Sequence, residues 1–500
     1  MLPTIQLGPL RLYEKRTKIA LPADPVATYL PRLQHRPHSF CFDSQDVSPI
    51  YGRFSLIGCD PILQITGKDA NFSLKVLQPR GAKFCQKITP NDFPQIKNFR
   101  KTATQITGTI PPVNQTPNAT QPLQKPTSAD SLRIFLKKFS AQQKTFLGLY
   151  GACAYDFVRL FEPVPNLNPA TTIPDFNFFL YDTFLHFDNL KKIGQLICLR
   201  ATQKELTHAL CNLKKNLTTN QPPTNFKIKN AKFDLGKKEF EHLVQLARNL
   251  AKRGELFEVV FSRTLNAKFR GNPLALFLRY RTLNPAPYLF YFDFGQKEYL
   301  IGASPEMMLR VENRAVHARP ISGTIARGQN PIEDHENQLK LLASPKERAE
   351  LDMLIDLGRN DLARICKPGI KITEYRTVEK YSRVFHTIAH LTGQLAPPFT
   401  ALDAVIATLP VGTLAGAPKV AALQAIEQHE KTRRGYYGGG IGYFTLSGEC
   451  DTGILIRTAH LKKSTLEFRV GATLLYDSIP QAEFQETEAK AKAFLDLCQQ

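Results

Sequence analysis

Leu409-Pro-Val-Gly-Thr-Leu-Ala-Gly-Ala-Pro-Lys419, Arg433-Arg-Gly-Tyr-Tyr-Gly-Gly-Gly-Ile-Gly-Tyr-Phe444 and Asp451-Thr-Gly-Ile-Leu-Ile-Arg-Thr458 follow one another near the end of the chain. Glycines at 438, 439, 440 and 442 permit a positive φ or the close approach of another backbone. Their spacing is not the Gly-x-Gly-x-x-Gly of a dinucleotide site. Arg457 interrupts the apolar run Ile454-Leu-Ile. An arginine left unpaired there would be costly, and its planar guanidinium can grip a carboxylate through two parallel hydrogen bonds. Each feature alone has an ordinary reading, a turn or a surface ion pair. Three dense stretches in one order are far more specific.

Further motifs extend the pattern through the C-terminal half: Pro320-Ile-Ser-Gly-Thr324, Lys346-Glu-Arg-Ala-Glu350, Asp356-Leu-Gly-Arg-Asn-Asp361, Tyr381-Ser-Arg-Val-Phe-His386 and Glu483-Phe-Gln-Glu486. Before residue 235 the matches thin to Ser39-Phe-Cys-Phe-Asp-Ser44, Tyr51-Gly-Arg-Phe-Ser-Leu-Ile-Gly58 and Tyr155-Asp156. Together these motifs resemble the signature of the chorismate-utilising enzymes, most closely the large-subunit (component I) family of anthranilate synthase. The resemblance divides the chain into an N-terminal region, 1–234, carrying a feedback site, and a chorismate-binding catalytic region, 235–500. It implies large antiparallel sheets packed face to face, helices outside, and an active site in the cleft between them.

The element pattern points the same way. Residues 104–130 and 217–224 are polar, proline-rich and aperiodic, as linkers are. The aromatic run 176–187 reads as strand, and 237–253 has helical spacing. Strand-like runs at 258–261, 288–294, 440–444 and 466–475 mix with helices over 338–357 and 484–498. No internal repeat is evident. That order is neither strictly βαβ nor all-β, so the fold class is α+β with sizeable antiparallel sheets.

Composition sets the outer bounds. Five hundred residues with 43% hydrophobic content can bury a large core. No apolar run is long enough to span a membrane, and the start lacks the sustained apolar core of a secretory signal, so a cytoplasmic protein is expected. The nine cysteines are scattered singly, as reduced thiols are. The net charge of +21 is compatible with nucleic acid, an acidic partner or an anionic substrate. Its basic residues fall in isolated pairs rather than in a tract, so nucleic-acid binding is not expected. There is no tryptophan in the chain.

Glu347 and Glu350 lie three apart after Ser344-Pro345, a helix start, and share one face. Ser344-x-x-Glu347 is also a capping box, in which the carboxylate would reach back to the Ser344 amide. Glu483 and Glu486 repeat the spacing after Pro480, and Glu486 is placed to pair with Lys490. The resemblance implies that Glu350 and Glu486 hold Mg²⁺, with Glu347 and Glu483 in support. Mg²⁺ takes oxygen ligands and keeps several waters, leaving room for a substrate carboxylate. The resemblance gives Arg457, Tyr437 and the backbone of Gly471, Ala472 and Thr473 to the second carboxylate of chorismate, Gly323 and Thr324 to the ring, and His386 and Thr413 to catalysis.

Position 322 separates members of the family. Aminodeoxychorismate synthases commonly carry a lysine there that attacks the ring; Ser322 has no amine, which favours amination at C2 and hence anthranilate. Glu258 stands where isochorismate and salicylate synthases carry a water-activating lysine and anthranilate synthases usually glutamine. Leu351, Ala415 and Thr473 replace a usual His, Ser and Gly. An aminodeoxychorismate synthase, or a homologue that binds chorismate without turnover, stands as the alternative. No glutamine amidotransferase region is evident, so the resemblance implies a separate small subunit that delivers ammonia, or the use of free ammonia. Ser44, Pro287, Tyr288 and Leu289 resemble the family's L-tryptophan inhibitor site, with Asp43 for a usual Glu and Leu289 for a usual Met.

Overall fold

A computed structural model of the chain describes residues 3–45, 54–111, 121–217, 222–381 and 384–499. Its strands pair into two antiparallel sheets of thirteen strands each. Both sheets draw strands from before and after residue 234. In the first, Phe40–Asp43 pairs with Tyr288–Gly295, setting Asp43 opposite Leu289. In the second, Gly148–Cys153 pairs with Gly440–Thr445, setting Gly151 opposite Gly442. A Cβ on Gly442 would stand 2.0 Å from a backbone carbonyl, so this part of the glycine-rich stretch serves the sheet.

The sheets face one another across aromatic side chains. Phe40 of the first stacks on Tyr150 of the second with ring centroids 4.9 Å apart, and Phe292 meets Phe179 at 5.9 Å. Each fully buried ring of this kind contributes roughly 1.5–3 kcal/mol of transfer free energy. The far face of the first sheet is covered by helices, including Pro25–Leu33, Gln203–Asn216 and Pro273–Leu283. The expected α+β fold, with sheets face to face and helices outside, is the fold observed.

Four details differ from the sequence reading. The run 176–187 is two strands in different sheets, Phe176–Tyr181 in the second and Thr183–Asp188 in the first. The crossing falls at buried Asp182, held by ion pairs to Arg80 at 2.6 Å and Arg200 at 3.0 Å. Within 104–130, Gln105–Thr109 is a strand whose Ile106 is buried, while 112–120 lie outside the described residues. The helix expected over 338–357 is two helices, Pro331–Ala343 and Pro345–Ala363, broken at extended Ser344 because Pro345 disfavours helical geometry in the residue before it. After 217–224, of which 218–221 are not described, the chain forms the edge strand Phe226–Phe233. Its Lys227, Lys229 and Lys232 are of the kind that discourages further pairing.

Two helix starts frame the cleft. Pro345–Ala363 rests on strands Ile321–Ala326 and Val384–Gln394 of the second sheet. Pro480–Cys498 packs against Lys237–Lys252 and on strand Thr465–Leu475 of the first.

Candidate active site

The first turns of those two helices bring Glu347, Glu350, Glu483 and Glu486 to one cavity of about 690 Å³. Ser344 Oγ accepts from the Glu347 amide at 3.3 Å, but the reciprocal bond of a capping box is not made. Glu347 Oε2 is instead buried with no hydrogen-bond partner. Glu350 is pushed up to about 7, first by burial and then by Glu347 and Glu486. Burial, with Glu486 nearby, also raises Glu347 and Glu483. The Glu486–Lys490 pair forms at 2.6 Å.

Among the described residues no three His, Cys, Asp or Glu side chains gather closely enough to hold a metal by themselves. Mg²⁺ does not need three, because it is commonly held by one or two carboxylates with water and substrate oxygens completing the octahedron. Like charges forced together and an unpartnered buried carboxylate oxygen are what a hard cation would relieve. The donor set fits.

Opposite the carboxylates, Gly323 takes φ +67° in a kinked strand, and a Cβ there would stand 2.8 Å from Glu347 Oε2. The turn presents its carbonyl to His386 Nδ1 at 3.1 Å, while Thr324 Oγ1 lies 2.9 Å from the same nitrogen. A carbonyl only accepts, so Nδ1 carries the proton and Nε2 keeps its lone pair. Burial lowers His386 to about 4, leaving the imidazole neutral. Thr413 Oγ1 donates to Glu306 Oε1 at 3.0 Å. Burial nevertheless pushes Glu306 up to about 8, so this cavity-lining carboxyl is a proton donor at neutral pH.

Arg457 sits at φ +49° and reaches the cavity. Among the described residues its guanidinium has no ion pair and no hydrogen bond, and burial lowers its pKa. An uncompensated cation in such a place calls for an anion. Tyr437 is buried in the wall of the same cavity, its ring centroid 5.6 Å from the Arg434 guanidinium and its hydroxyl 2.7 Å from where a Cβ on Gly471 would be. Gly471 and Thr473 line the cavity. The Ala472 side chain does not; it packs into the apolar layer with Phe240 and Val244. Beyond Phe468, where pairing with the preceding strand begins, this strand is flanked on one side only by Glu258–Gly271. Backbone groups on its open side are therefore available to a ligand.

Glu258 lines the cavity with neither carboxylate oxygen hydrogen-bonded. Burial and then Glu350 raise it to about 8, so the departure from the family's usual glutamine adds a neutral acid. The Ser322 hydroxyl is likewise buried and unpartnered. Leu351 and Ala415 are fully buried and pack rather than bind.

Two lining residues escaped the sequence reading. Glu306 follows Ser304-Pro305 in a tight connection between strands of the two sheets, where a lone acid in an apolar stretch was the only signal. Lys490 appeared only as a partner for Glu486; its Nζ also donates to the Gly471 carbonyl at 3.0 Å, tying the carboxylate cluster to the strand that carries Gly471.

The residues expected from the sequence to hold an inhibitor come together in part. Ser44 Oγ donates to the Pro287 carbonyl at 2.6 Å, and Pro287 lines the large cavity. Tyr288 donates to Asp451 at 2.9 Å, and Leu289 is buried in the layer under the helices. Asp43 is occupied by Arg281 and Ser55. Residues 46–53, including Tyr51-Gly-Arg, lie outside the described residues.

Two face-to-face antiparallel sheets around a cleft, acidic at one end and cationic at the other, define an enzyme fold built for a small carboxylate-bearing substrate. The chain belongs to the family of chorismate binding enzymes, whose model matches residues 92–496. It is 32% identical over 492 residues to anthranilate synthase component 1 of Cereibacter sphaeroides, covering 94% of this chain and 91% of that one. The same component of Lactococcus lactis subsp. lactis is 39% identical over 362 residues, covering 70% and 79%. Among solved structures, anthranilate synthase component I from Streptococcus pneumoniae superposes with a TM-score of 0.70 at 31% identity, covering 88% of this chain and 91% of that one. MenF, the menaquinone-specific isochorismate synthase from Escherichia coli, superposes with a TM-score of 0.68 at 17% identity over 99% and 96%, a likeness of fold alone. Among the described residues no helix is long and apolar enough to cross a membrane.

Proposed function

We propose that this chain is the anthranilate synthase component that converts chorismate and ammonia to anthranilate, pyruvate and water. A separate glutamine amidotransferase subunit would supply the ammonia. The reading is carried by the polarity of the cavity: clustered carboxylates at one end, the unpaired Arg457 guanidinium at the other. Chorismate has two carboxylates. Mg²⁺ held by Glu350 and Glu486, with Glu347 and Glu483 in support, would supply the positive charge that lets the ring carboxylate approach the acidic end. Arg457, Lys490 and the open backbone of Gly471 to Thr473 bind the enolpyruvyl carboxylate.

The remaining groups match the proton movements. As ammonia adds at C2, the ring double bonds shift and the C4 hydroxyl leaves; protonated Glu306, steadied by Thr413, donates the proton that makes it water. His386 then takes the C2 proton at Nε2 while the C3–O bond breaks, and the released enolpyruvate is protonated to pyruvate. A substrate carboxylate nearby restores basicity that burial has removed from the imidazole. Ser322 offers no amine to form a bond to C2, which leaves that carbon to ammonia.

L-tryptophan is the inhibitor this reading expects, at Ser44 and Pro287 to Leu289. The deciding experiment is incubation with chorismate, MgCl₂ and excess ammonium, followed by product fluorescence and mass. Anthranilate is expected. Only a C4-aminated product, or no turnover, would overturn the assignment.

A further inference from the structure

Arg434, in the glycine-rich signature stretch, takes no part in the chemistry proposed above, yet it is buried and heavily bonded one layer behind the cavity wall. Its Nε and Nη2 donate to the two oxygens of Glu430 at 3.0 and 2.7 Å. Nη1 donates to the Leu414 carbonyl at 2.6 Å, and Nη2 also to the Val260 carbonyl. The guanidinium lies over two rings, 4.9 Å from the centroid of Tyr155 and 5.6 Å from that of Tyr437. Leu414, Val260 and Tyr437 all line the substrate cavity.

The carboxylate that anchors this fork is itself fixed. Glu430 accepts from the Ser262 amide at 2.9 Å, from Ser262 Oγ at 2.6 Å and from Arg469 at 2.8 Å, which ties it to strands Glu258–Gly271 and Thr465–Leu475. Leu414 ends the short turn Gly412–Leu414, whose middle residue, Thr413, donates to Glu306 Oε1 at 3.0 Å. The Val260 amide donates to the Ala415 carbonyl at 3.0 Å, joining the end of that turn to the strand. Arg434 reinforces the joint by gathering the neighbouring carbonyl of the turn and the strand's own carbonyl onto one planar group.

We infer that Arg434 is a positioning residue for the proton donor: by tying the Leu414 carbonyl to the strand it sets the turn, and the turn aims the Thr413 hydroxyl at Glu306. The inference rests on the role given to Glu306 above. A guanidinium suits the task because its donors diverge in one plane toward a carboxylate and two carbonyls. A lysine ammonium brings its three N–H bonds from a single point and does not span them. The effect is read at Glu306, whose pKa burial raises while the Thr413 bond, Lys490 and the Ile321 backbone lower it. A turn that slips withdraws the Thr413 bond, leaves Lys490 in place, and raises Glu306 further.

The test is steady-state kinetics with chorismate, MgCl₂ and saturating ammonium from about pH 6 to pH 10, for wild type, Arg434→Lys, Thr413→Val and the double variant. Arg434→Lys is expected to lower kcat about tenfold, a part of what a well-placed acid contributes, and to move the alkaline limb of the rate profile upward. In the Thr413→Val background, where the hydroxyl to be aimed is gone, the same substitution is expected to change kcat less than about twofold. Glu430→Asp draws the anchor back by one methylene and is expected to give the same pattern at smaller size, so it carries the cycle if Arg434→Lys does not fold. An equal fall in both backgrounds, or an alkaline limb that stays in place in a folded variant, would overturn the inference. So would a change confined to the KM for chorismate, which would assign the effect to Tyr437. Absence of turnover in wild type would instead overturn the reading on which the inference rests.

Discussion

Glu350 is held near neutrality because burial and two neighbouring carboxylates resist its ionisation, so a cation that removes this repulsion is bound most strongly by the ionised residue. Glu350→Gln or Glu486→Gln keeps the shape and removes a charged oxygen ligand. Either substitution is expected to abolish activity at sub-saturating Mg²⁺ while circular dichroism stays unchanged; wild-type rates would show that neither carboxylate holds the metal. Glu306 and Glu258 supply the pH dependence. Both sit at about 8 in the folded chain, well above the ordinary carboxyl value of 4.5. A folded pKa raised in this way gives stability that is complete below the unfolded value and is lost as pH rises through the folded one. The melting temperature is therefore expected to fall between about pH 5 and pH 9, and less steeply in Glu306→Gln. A slope identical in the variant would show that Glu306 is not the titrating group. The rate should also fall above about pH 8 as the Glu306 proton donor is lost.

The helix starts turn these residues into a site. Ser344 ends one helix and caps the next, so its extended backbone and Oγ fix where the first turn of Pro345–Ala363 begins. Removing the cap as Ser344→Ala is expected to cost about 1 kcal/mol. Because Glu347 belongs to that turn, the apparent Mg²⁺ affinity should weaken as well; a thermal melt and a metal titration read the two effects separately, and an unchanged melt would show that Pro345 alone sets the helix start. Much at this scale could be read in the sequence. Ser344-Pro345 and the Glu-x-x-Glu spacings are local signals, and local signals survive in a string of letters. Pairings that depend on distant partners do not. The run 176–187 reads as one strand because nothing within it says that Asp182 will meet Arg80 and Arg200 and send its two halves into different sheets. Glu306 looks like a turn acid until Thr413, more than a hundred residues later, closes over it. Arg457 was legible for the opposite reason, since charge inside an apolar run demands an explanation wherever the chain folds.

At the scale of the molecule, the seam between the two sequence regions passes beside the substrate cavity. Asp43 pairs with Leu289 across it, and Ser44 donates to the Pro287 carbonyl. From there the chain runs in both directions toward function: Asn284 to Pro287 line the cavity, and Tyr288 reaches Asp451 in the other sheet. A ligand at Ser44 that competes for the Pro287 bond would pull on a segment shared by the cavity wall and both sheets. Such a shared element is what coupling between two sites requires. L-tryptophan is therefore expected to weaken chorismate use by wild type. Ser44→Ala should relieve the inhibition, because it leaves a ligand group and the Pro287 carbonyl without their partner, a loss of about 1–3 kcal/mol or roughly five- to a hundred-fold in affinity. Asp43 already accepts from Arg281 and Ser55, one bond on each oxygen, so its charge is shared with Arg281 and wild-type inhibition is expected to be weaker where Arg281 stays paired. The measurement is a tryptophan titration of wild type and Ser44→Ala at equal chorismate and Mg²⁺. Equal inhibition of both would place the tryptophan site elsewhere on the molecule, and wild type that ignores tryptophan would reduce the seam to a structural joint.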